Sequence, residues 1–219
     1  MEFPYPDYDT YRALYTRYDH PVSTRRLLNT LEVSVGQSLL DLCGGDGRLT
    51  IKAVQAGVAR VTLVDETPTM VPLSVSQLPG VTVLYQDVAS ALPLLFSQSE
   101  LFDRVVCQQA INYWLSAETA AAVAAVMRPG GIFAFNTFNT RPSEKPVIKD
   151  YEYGGHQFVE VSWLIDSLVH HIQIRAGLPP HQTVFSWLSP ERLRALLDPH
   201  FHVSESTMLT STVYRCQRR

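Results

Sequence analysis

The chain has 219 residues, 46% hydrophobic and 18% charged, which is the balance of a single globular domain with a sizeable core. A net charge of −3 gives no general reason to meet nucleic acid or an anionic membrane, and no apolar run approaches the roughly 20 residues that span a bilayer. Three scattered cysteines form neither a metal-binding nor a disulfide pattern, and Met1-Glu2-Phe3-Pro4 is acidic and aromatic where a signal peptide is basic and apolar. These features predict a soluble, cytoplasmic protein with reduced thiols.

Tyrosines dominate the start of the chain. Tyr8, Tyr11, Tyr15 and Tyr18 recur at steps of three, four and three, one stripe of a helix. Pro21 interrupts, and a second short helix is expected over 23–30, with Leu27, Leu28 and Leu31 as its apolar face. Ser38 to Cys43 reads as a buried strand entering the glycine turn Gly44-Gly45-Asp46-Gly47, and Arg48 to Gln55 as a helix ended by Gly57. Val61 to Asp65 is a second strand closing on an acid. A short helix over 70–78 and a third strand over 81–85 follow, then Asp87 and an apolar loop around Pro93. Arg104 to Gln108 is a fourth strand. Ser116 caps a helix reaching Met127, and Pro129-Gly130-Gly131 turns the chain into a fifth strand. Strands alternating with helices imply right-handed crossovers and a parallel sheet covered on both faces.

The rhythm breaks over residues 142–188. Two strands, 158–165 and 168–174, read as a hairpin turning at Asp166-Ser167. Ser189-Pro190-Glu191 then starts a last helix, and 203–206 and 212–216 make a closing strand pair. The expected organisation is one domain: cover helices over 1–34, a ligand-binding core over 37–137, an inserted lid or substrate wall over 142–188, and a closing segment over 189–219. Arg215, Arg218 and Arg219 read as a solvated basic tail, and Cys107 as buried strand filler.

The glycine turn between strand and helix lets a ligand approach the backbone closely. A dinucleotide fold would carry G-x-G-x-x-G here, but in Gly45-Asp46-Gly47-Arg48-Leu49-Thr50 the third glycine is missing. Asp41 and Asp46 would also repel a pyrophosphate. They suit a cationic ligand such as S-adenosylmethionine, with its sulfonium and ammonium. Asp65, 18 residues after Gly47, is placed to accept the ribose hydroxyls, and Asp87 to accept the adenine amino group. Cys43, Gly44, Glu66, Met70, Val88 and the backbone of Gln108 complete the expected cofactor-binding set with Asp41, Gly45 and Gly47. No metal site is expected.

These motifs resemble those of the class I methyltransferases. Leu39 to Gly47 is similar to the D-x-G-x-G-x-G motif, with Cys43 where the first glycine usually stands. Val61 to Asp65, Gln86-Asp87, Phe102 to Val106 and Met127 to Gly131 resemble the successive strand motifs. The resemblance implies a Rossmann-like α/β fold with a seven-stranded, mostly parallel sheet in the order 3-2-1-4-5-7-6, strand seven antiparallel. It implies S-adenosylmethionine as methyl donor and S-adenosylhomocysteine as product. The tyrosine stripe resembles the N-terminal cover helix of small-molecule methyltransferases, in which Tyr11 and Tyr18 would touch the cofactor.

Gln109 and Asn112, after the fourth strand, are the expected polar contacts at the methyl group, with Tyr18 beside them. His170 is a candidate general base because it shares a face with Ile172 and Ile174, and His156 and His181 are further candidates. The expected reaction is methyl transfer to oxygen or nitrogen of a small molecule by a monomer or homodimer, the exposed edge of the hairpin being one possible dimer contact. A non-methylating use of the same cofactor (cyclisation, decarboxylation or isomerisation) and a non-catalytic binding module are the alternatives.

Overall fold

The computed structural model describes residues 21–138, 141–153, 156–175, 177, 180–208 and 211–219; the tyrosine stripe, with Tyr11 and Tyr18, lies outside them. Helix α1 (Pro21–Leu31) precedes an alternating series: β1 (Ser38–Leu42), α2 (Arg48–Gln55), β2 (Arg60–Val64), α3 (Leu73–Ser76), β3 (Val81–Leu84), α4 (Val88–Ser97), β4 (Phe102–Cys107), α5 (Ile111–Trp114), α6 (Ala117–Ala125) and β5 (Met127–Phe138). Four strands follow without helices, β6 (Val147–Tyr153), β7 (His156–Ile165), β8 (Leu168–Arg175) and β9 (His181–Ser186). Helix α7 (Pro190–Leu197) and strands β10 (Phe201–Met208) and β11 (Ser211–Arg218) close the chain.

The main sheet has the order β3-β2-β1-β4-β5-β11-β10, with β11 antiparallel to β5. This is the expected order. Every residue of β1 is buried, as a central parallel strand covered on both faces requires. Alternation divides the core. Leu39, Val61 and Val106 pack beneath Leu27, Leu31 and Leu49 of α1 and α2, whereas Leu40, Val105 and Phe133 pack with α4, α6 and α7. Among the described residues no helix is long and apolar enough to cross a membrane.

The apolar stretch after Asp87 is a helix, not a loop. Val88, Ala91, Leu92 and Leu95 are buried at spacings that make one helical face, and the Asp87 side chain caps it by accepting the Ser90 amide. Pro93 lacks the amide that would pair with the Ala89 carbonyl, and packing of that face outweighs the loss. Strand β5 is also longer than expected. It continues through Pro129-Gly130-Gly131, where a register shift against β4 and the positive φ of Gly130 absorb the irregularity.

The insertion is a separate antiparallel sheet, β6-β7-β8-β9, rather than a lone hairpin. The turn at Asp166 and Ser167 stands where expected, both residues having positive φ as a type I′ turn requires. Strands β6 and β9 flank the hairpin on both sides, so neither of its strands is an exposed edge. Their short, mixed sequences gave no period to read. One face of this sheet packs on the main body: Leu164, Val169 and Phe185 share it with Trp187, and the Phe185 ring lies 5.1 Å from that of Tyr113 on α5.

Helix α6 begins with a capping box, in which Ser116 and Thr119 each accept the other's amide through their hydroxyls. Ser116→Ala should lower stability by about 1 kcal/mol, or roughly 2–4 °C in Tm for a chain of this size, as thermal unfolding followed by circular dichroism will measure.

Candidate functional site

The carboxyl ends of β1, β2, β3 and β4 lie side by side, and the residues after each of them line one edge of the sheet. The turn after β1 sets its geometry. Cys43, Gly45 and Gly47 all have positive φ, at 55°, 52° and 69°. Cys43 therefore adopts a left-handed conformation that disfavours side chains by about 1–2 kcal/mol. A Cβ on Gly44 would lie 2.6 Å from Leu63, and one on Gly47 would lie 2.6 Å from Val75. Gly45 is different, because a Cβ there meets only Met70, at 3.5 Å. The turn is thus closed beneath Gly44 and Gly47, and Gly45 takes its positive φ without the steric cost that Cys43 carries.

Asp65 follows β2 and holds the turn. One carboxylate oxygen accepts the Gly45 amide at 2.9 Å and the other the Thr67 amide at 2.9 Å. Burial raises its pKa, and the two amide bonds oppose that rise. Asp46 pairs with Arg48, and its Oδ1 also accepts the Arg48 amide at 3.2 Å. Asp41 lies in β1 beneath the turn and is 1% exposed, with its Oδ2 accepting the Thr50 hydroxyl at 2.7 Å. Burial pushes its pKa up to about 7, with Asp65 and Asp46 adding to the rise. Glu66 is exposed and Met70 buried in the segment after β2. Asp87 is exposed and holds Ser90 through both oxygens, which keeps its pKa below the usual range, while Val88 beside it is buried.

After β4, the Gln108 side chain reaches α1, its amide donating to the Thr24 hydroxyl at 3.1 Å. Gln109 has φ 62°, and its amide donates to the Asn136 side chain at 3.0 Å. Asn112 is buried and accepts the Thr137 hydroxyl at 3.1 Å, so its carbonyl braces α5 against β5. Cys43 and Cys107 form a thiol pair that holds the Cys43 proton well above its usual range.

His170 is not where the crevice requires it. It stacks on Trp163 on the outer face of the inserted sheet, ring centroids 5.2 Å apart. The apolar neighbours Ile172 and Ile174 share that outer face, which is why the alternation misled. The adjacent His171 points to the inner face instead, with its Nε2 4.0 Å from Oε1 of Glu160. Gln173 donates to the same Glu160 oxygen at 3.2 Å. Burial lowers the His171 pKa, and Lys149 adds to that effect against the pull of Glu160. Period two shows that the two histidines face opposite ways but does not tell which face is inner. The side chains of His156 and His181 lie outside the described ones.

Residues 39–131 match a family model described as a methyltransferase domain. That stretch is less than half of the chain, and it holds the glycine turn, Asp41, Asp65 and Asp87. An uncharacterized methyltransferase of Synechocystis is 34% identical over 119 residues, and the chain spans about half the length of that curated relative, 53% of each chain being aligned. Among solved structures, the fold is shared with the S-adenosylmethionine-bound amino pentose methyltransferase CalS10 of Micromonospora echinaspora (16% identity, TM-score 0.70, all of both chains). It is also shared with the sugar N-methyltransferase KedS8 of Streptoalloteichus (18% identity, TM-score 0.65, covering 95% of this chain and 92% of that one). The 1,6-didemethyltoxoflavin-N1-methyltransferase of Burkholderia thailandensis aligns with a TM-score of 0.57 at 18% identity, covering 96% and 83%.

In this core, Asp41 makes stability depend on pH. The folded state holds its proton up to about pH 7, whereas the ordinary carboxyl value is 3.8. Its contribution is therefore whole below pH 4 and is lost as pH rises through 7. Asp41→Asn should flatten that decline, so the Tm of the variant relative to wild type should rise steadily from pH 5 to pH 8. A pH-independent difference would assign the decline to other groups.

Proposed function

We propose that the chain transfers a methyl group from S-adenosylmethionine to an oxygen or nitrogen of a small molecule, releasing S-adenosylhomocysteine, within a single domain whose inserted sheet walls the acceptor. The observation that carries this reading is the Gly44–Gly47 turn tied to Asp65 within a cluster of carboxylates. A pyrophosphate would meet the Asp65 carboxylate, which repels it, whereas a sulfonium and an ammonium are attracted. When bound, the cofactor supplies an electrophilic methyl group on a positively charged sulfur. Gly44 and Gly47 keep the backbone clear of side chains, and Gly45 and Asp65 face the ribose side. The exposed Glu66 and Asp87, with Met70 and Val88, flank the adenine end. Asp41 acts from below by fixing Thr50 and the first turn of α2.

Around the acceptor, Gln109 and Asn112 hold the post-β4 turn in place through Asn136 and Thr137. The proton acceptor we assign is His171 rather than His170. It lies on the face that touches α5 through Phe185, its lowered pKa leaves it neutral at physiological pH, and Glu160 orients its ring. As the acceptor oxygen or nitrogen bonds to the methyl carbon, its proton passes to His171. The small-molecule acceptor is supported by the walled site and by the sugar and toxoflavin substrates named for the structural relatives. A cofactor bound without methyl transfer is the rival outcome.

Isothermal titration tests the cofactor directly. S-adenosylmethionine and S-adenosylhomocysteine should bind in the micromolar range and NAD should not, and Asp65→Ala should weaken binding at least tenfold with an unchanged circular dichroism spectrum. Failure of both adenosyl compounds to bind would remove the activity. A screen of amino- and hydroxyl-bearing acceptors, read by release of S-adenosylhomocysteine, then separates methyl transfer from other uses of the cofactor. With the acceptor so found, kcat/KM should fall as pH drops through the His171 pKa. His171→Asn should remove roughly 10²–10⁴-fold in kcat without changing cofactor affinity. Glu160→Gln should shift the acidic limb to lower pH, because the carboxylate raises the imidazole pKa; an unmoved limb would exclude His171 as the base.

A further inference from the structure

The inner face of the inserted sheet is banded. The register places Leu164, Val169 and Phe185 in one row across β7, β8 and β9, and Ser162, His171 and Thr183 in the next, about 7 Å further along the strands. A third row brings Glu160 beside Gln173. The first row is apolar and meets α5. Leu164 and Val169 are buried, whereas Phe185 is half-buried and pairs with Tyr113, which is 51% exposed. Tyr113 directly follows Asn112 in the segment after β4, so this ring pair joins the carboxyl edge of the main sheet to the wall. The second row presents two hydroxyls and the His171 imidazole, all half-buried.

Resting on the proposed methyl transfer, we infer that the acceptor is a flat aromatic molecule of one or two rings bearing a hydroxyl, its ring packed on Tyr113 and Phe185 and its hydroxyl at His171. Aromatic rings gain from each other beyond the area they bury, in tilted as well as offset arrangements, and the Tyr113 and Phe185 rings already stand at 50° to one another. The first row and Tyr113 together offer one hydrogen-bonding side-chain group, the Tyr113 hydroxyl. Hydroxyls spread around a sugar ring would lose water there without replacement, whereas an aromatic ring has none to satisfy. The row spacing is comparable to the span of one or two fused rings, so a ring on the first row brings its hydroxyl to the second.

The chemistry agrees with this placement. A phenolic hydroxyl has a pKa of about 10, as tyrosine does, which a neutral imidazole can serve in the transition state, and an aliphatic hydroxyl is a much weaker acid. Burial keeps His171 in that neutral form. The bond from the phenolic oxygen to the methyl carbon forms as the carbon–sulfur bond breaks, the breaking pair stays on sulfur, and the phenolic proton passes to His171. The products are an aryl methyl ether, S-adenosylhomocysteine and an imidazolium that returns its proton to water. Tyr113 and Phe185 select the acceptor and take no part in the proton transfer.

Calorimetric titration of the full chain saturated with S-adenosylhomocysteine measures the fit without turnover. Phenol, 2-naphthol and 7-hydroxycoumarin are the probes, with decahydro-2-naphthol as a saturated counterpart and glucosamine as a sugar. The wild type should bind 2-naphthol roughly tenfold more tightly than decahydro-2-naphthol. Tyr113→Ala and Phe185→Leu should each weaken 2-naphthol by roughly 2- to 12-fold with circular dichroism and S-adenosylhomocysteine affinity unchanged, and Tyr113→Phe should keep wild-type affinity. With S-adenosylmethionine, 2-naphthol should gain one methyl group by mass, and His171→Asn should suppress that gain while the phenol still binds. The inference is overturned if none of the three phenols binds the wild type, if the saturated counterpart binds as tightly, if glucosamine binds in their place, or if folded Tyr113→Ala and Phe185→Leu variants keep full affinity. The wild-type comparison decides the matter even where a variant fails to fold. A chain that binds S-adenosylhomocysteine but no phenol loses this inference alone, whereas one that binds neither adenosyl compound loses the proposed activity with it.

Discussion

The Asp65 carboxylate accepts the Gly45 amide with one oxygen and the Thr67 amide with the other, and through these bonds the turn after β1 and the segment after β2 take up a fixed spacing. The paired ladder ends at Leu42 and Val64, and the Gly44 amide, donating to the Val64 carbonyl at 3.1 Å, carries the contact one step further. Beyond that point the chain leaves the hydrogen-bonded lattice, and each backbone amide needs another partner. Asp65 supplies the partner from a side chain that is itself mostly withdrawn from water. Each of its oxygens keeps acceptor capacity beyond the amide it already holds.

Beneath that turn a second interaction sets the start of α2. In a dinucleotide site the position of Thr50 would carry a third glycine, so that a helix packs closely on the strand. Here Thr50 gives its hydroxyl to Asp41, and the space a glycine would open is filled by a buried hydrogen bond. Burial keeps that carboxyl protonated up to about pH 7, and Arg48 pairs with Asp46, which leaves Asp65, among the described residues, as the carboxylate of the turn without a cationic partner. Cys43 completes the arrangement in a left-handed conformation that glycine would adopt at no steric penalty, and its free thiol lies beside the free thiol of Cys107 on the neighbouring strand.

How far the sequence disclosed this structure depended on whether a segment's pattern had one meaning. The buried strands and the glycine turn were legible because continuous apolar runs ending in glycine and acid admit few readings. The sheet order came from family resemblance rather than from periodicity. Helix α4 was present in the spacing of Val88, Ala91, Leu92 and Leu95, but Pro93 carried more weight in the reading than it does in the fold. The flanking strands β6 and β9 were not read, although each joins its neighbour across a short connection, because their mixed sequences lack a clean apolar alternation. The roles of Gln108 and Asn112 were hidden for a related reason. Both are polar residues beside the crevice, and only the positions of Thr24 and Thr137 reveal that their side chains turn towards the scaffold.

The inserted sheet separates two demands that one helix or loop would have to combine. Because side chains alternate, the sheet presents Glu160, His171 and Gln173 on the face that packs towards α5, and isoleucines, leucine and tryptophan on the other. Substitution on one face leaves the other unaltered as long as the register holds, and the I′ turn at Asp166-Ser167 fixes that register. A shift by one residue would exchange His170 for His171 and turn the apolar side chains inward. The register of one hairpin thus decides which side chains the inner face presents and which stand on the outer one. The main sheet, whose strands are set by their own buried runs, stays the same whatever that wall becomes.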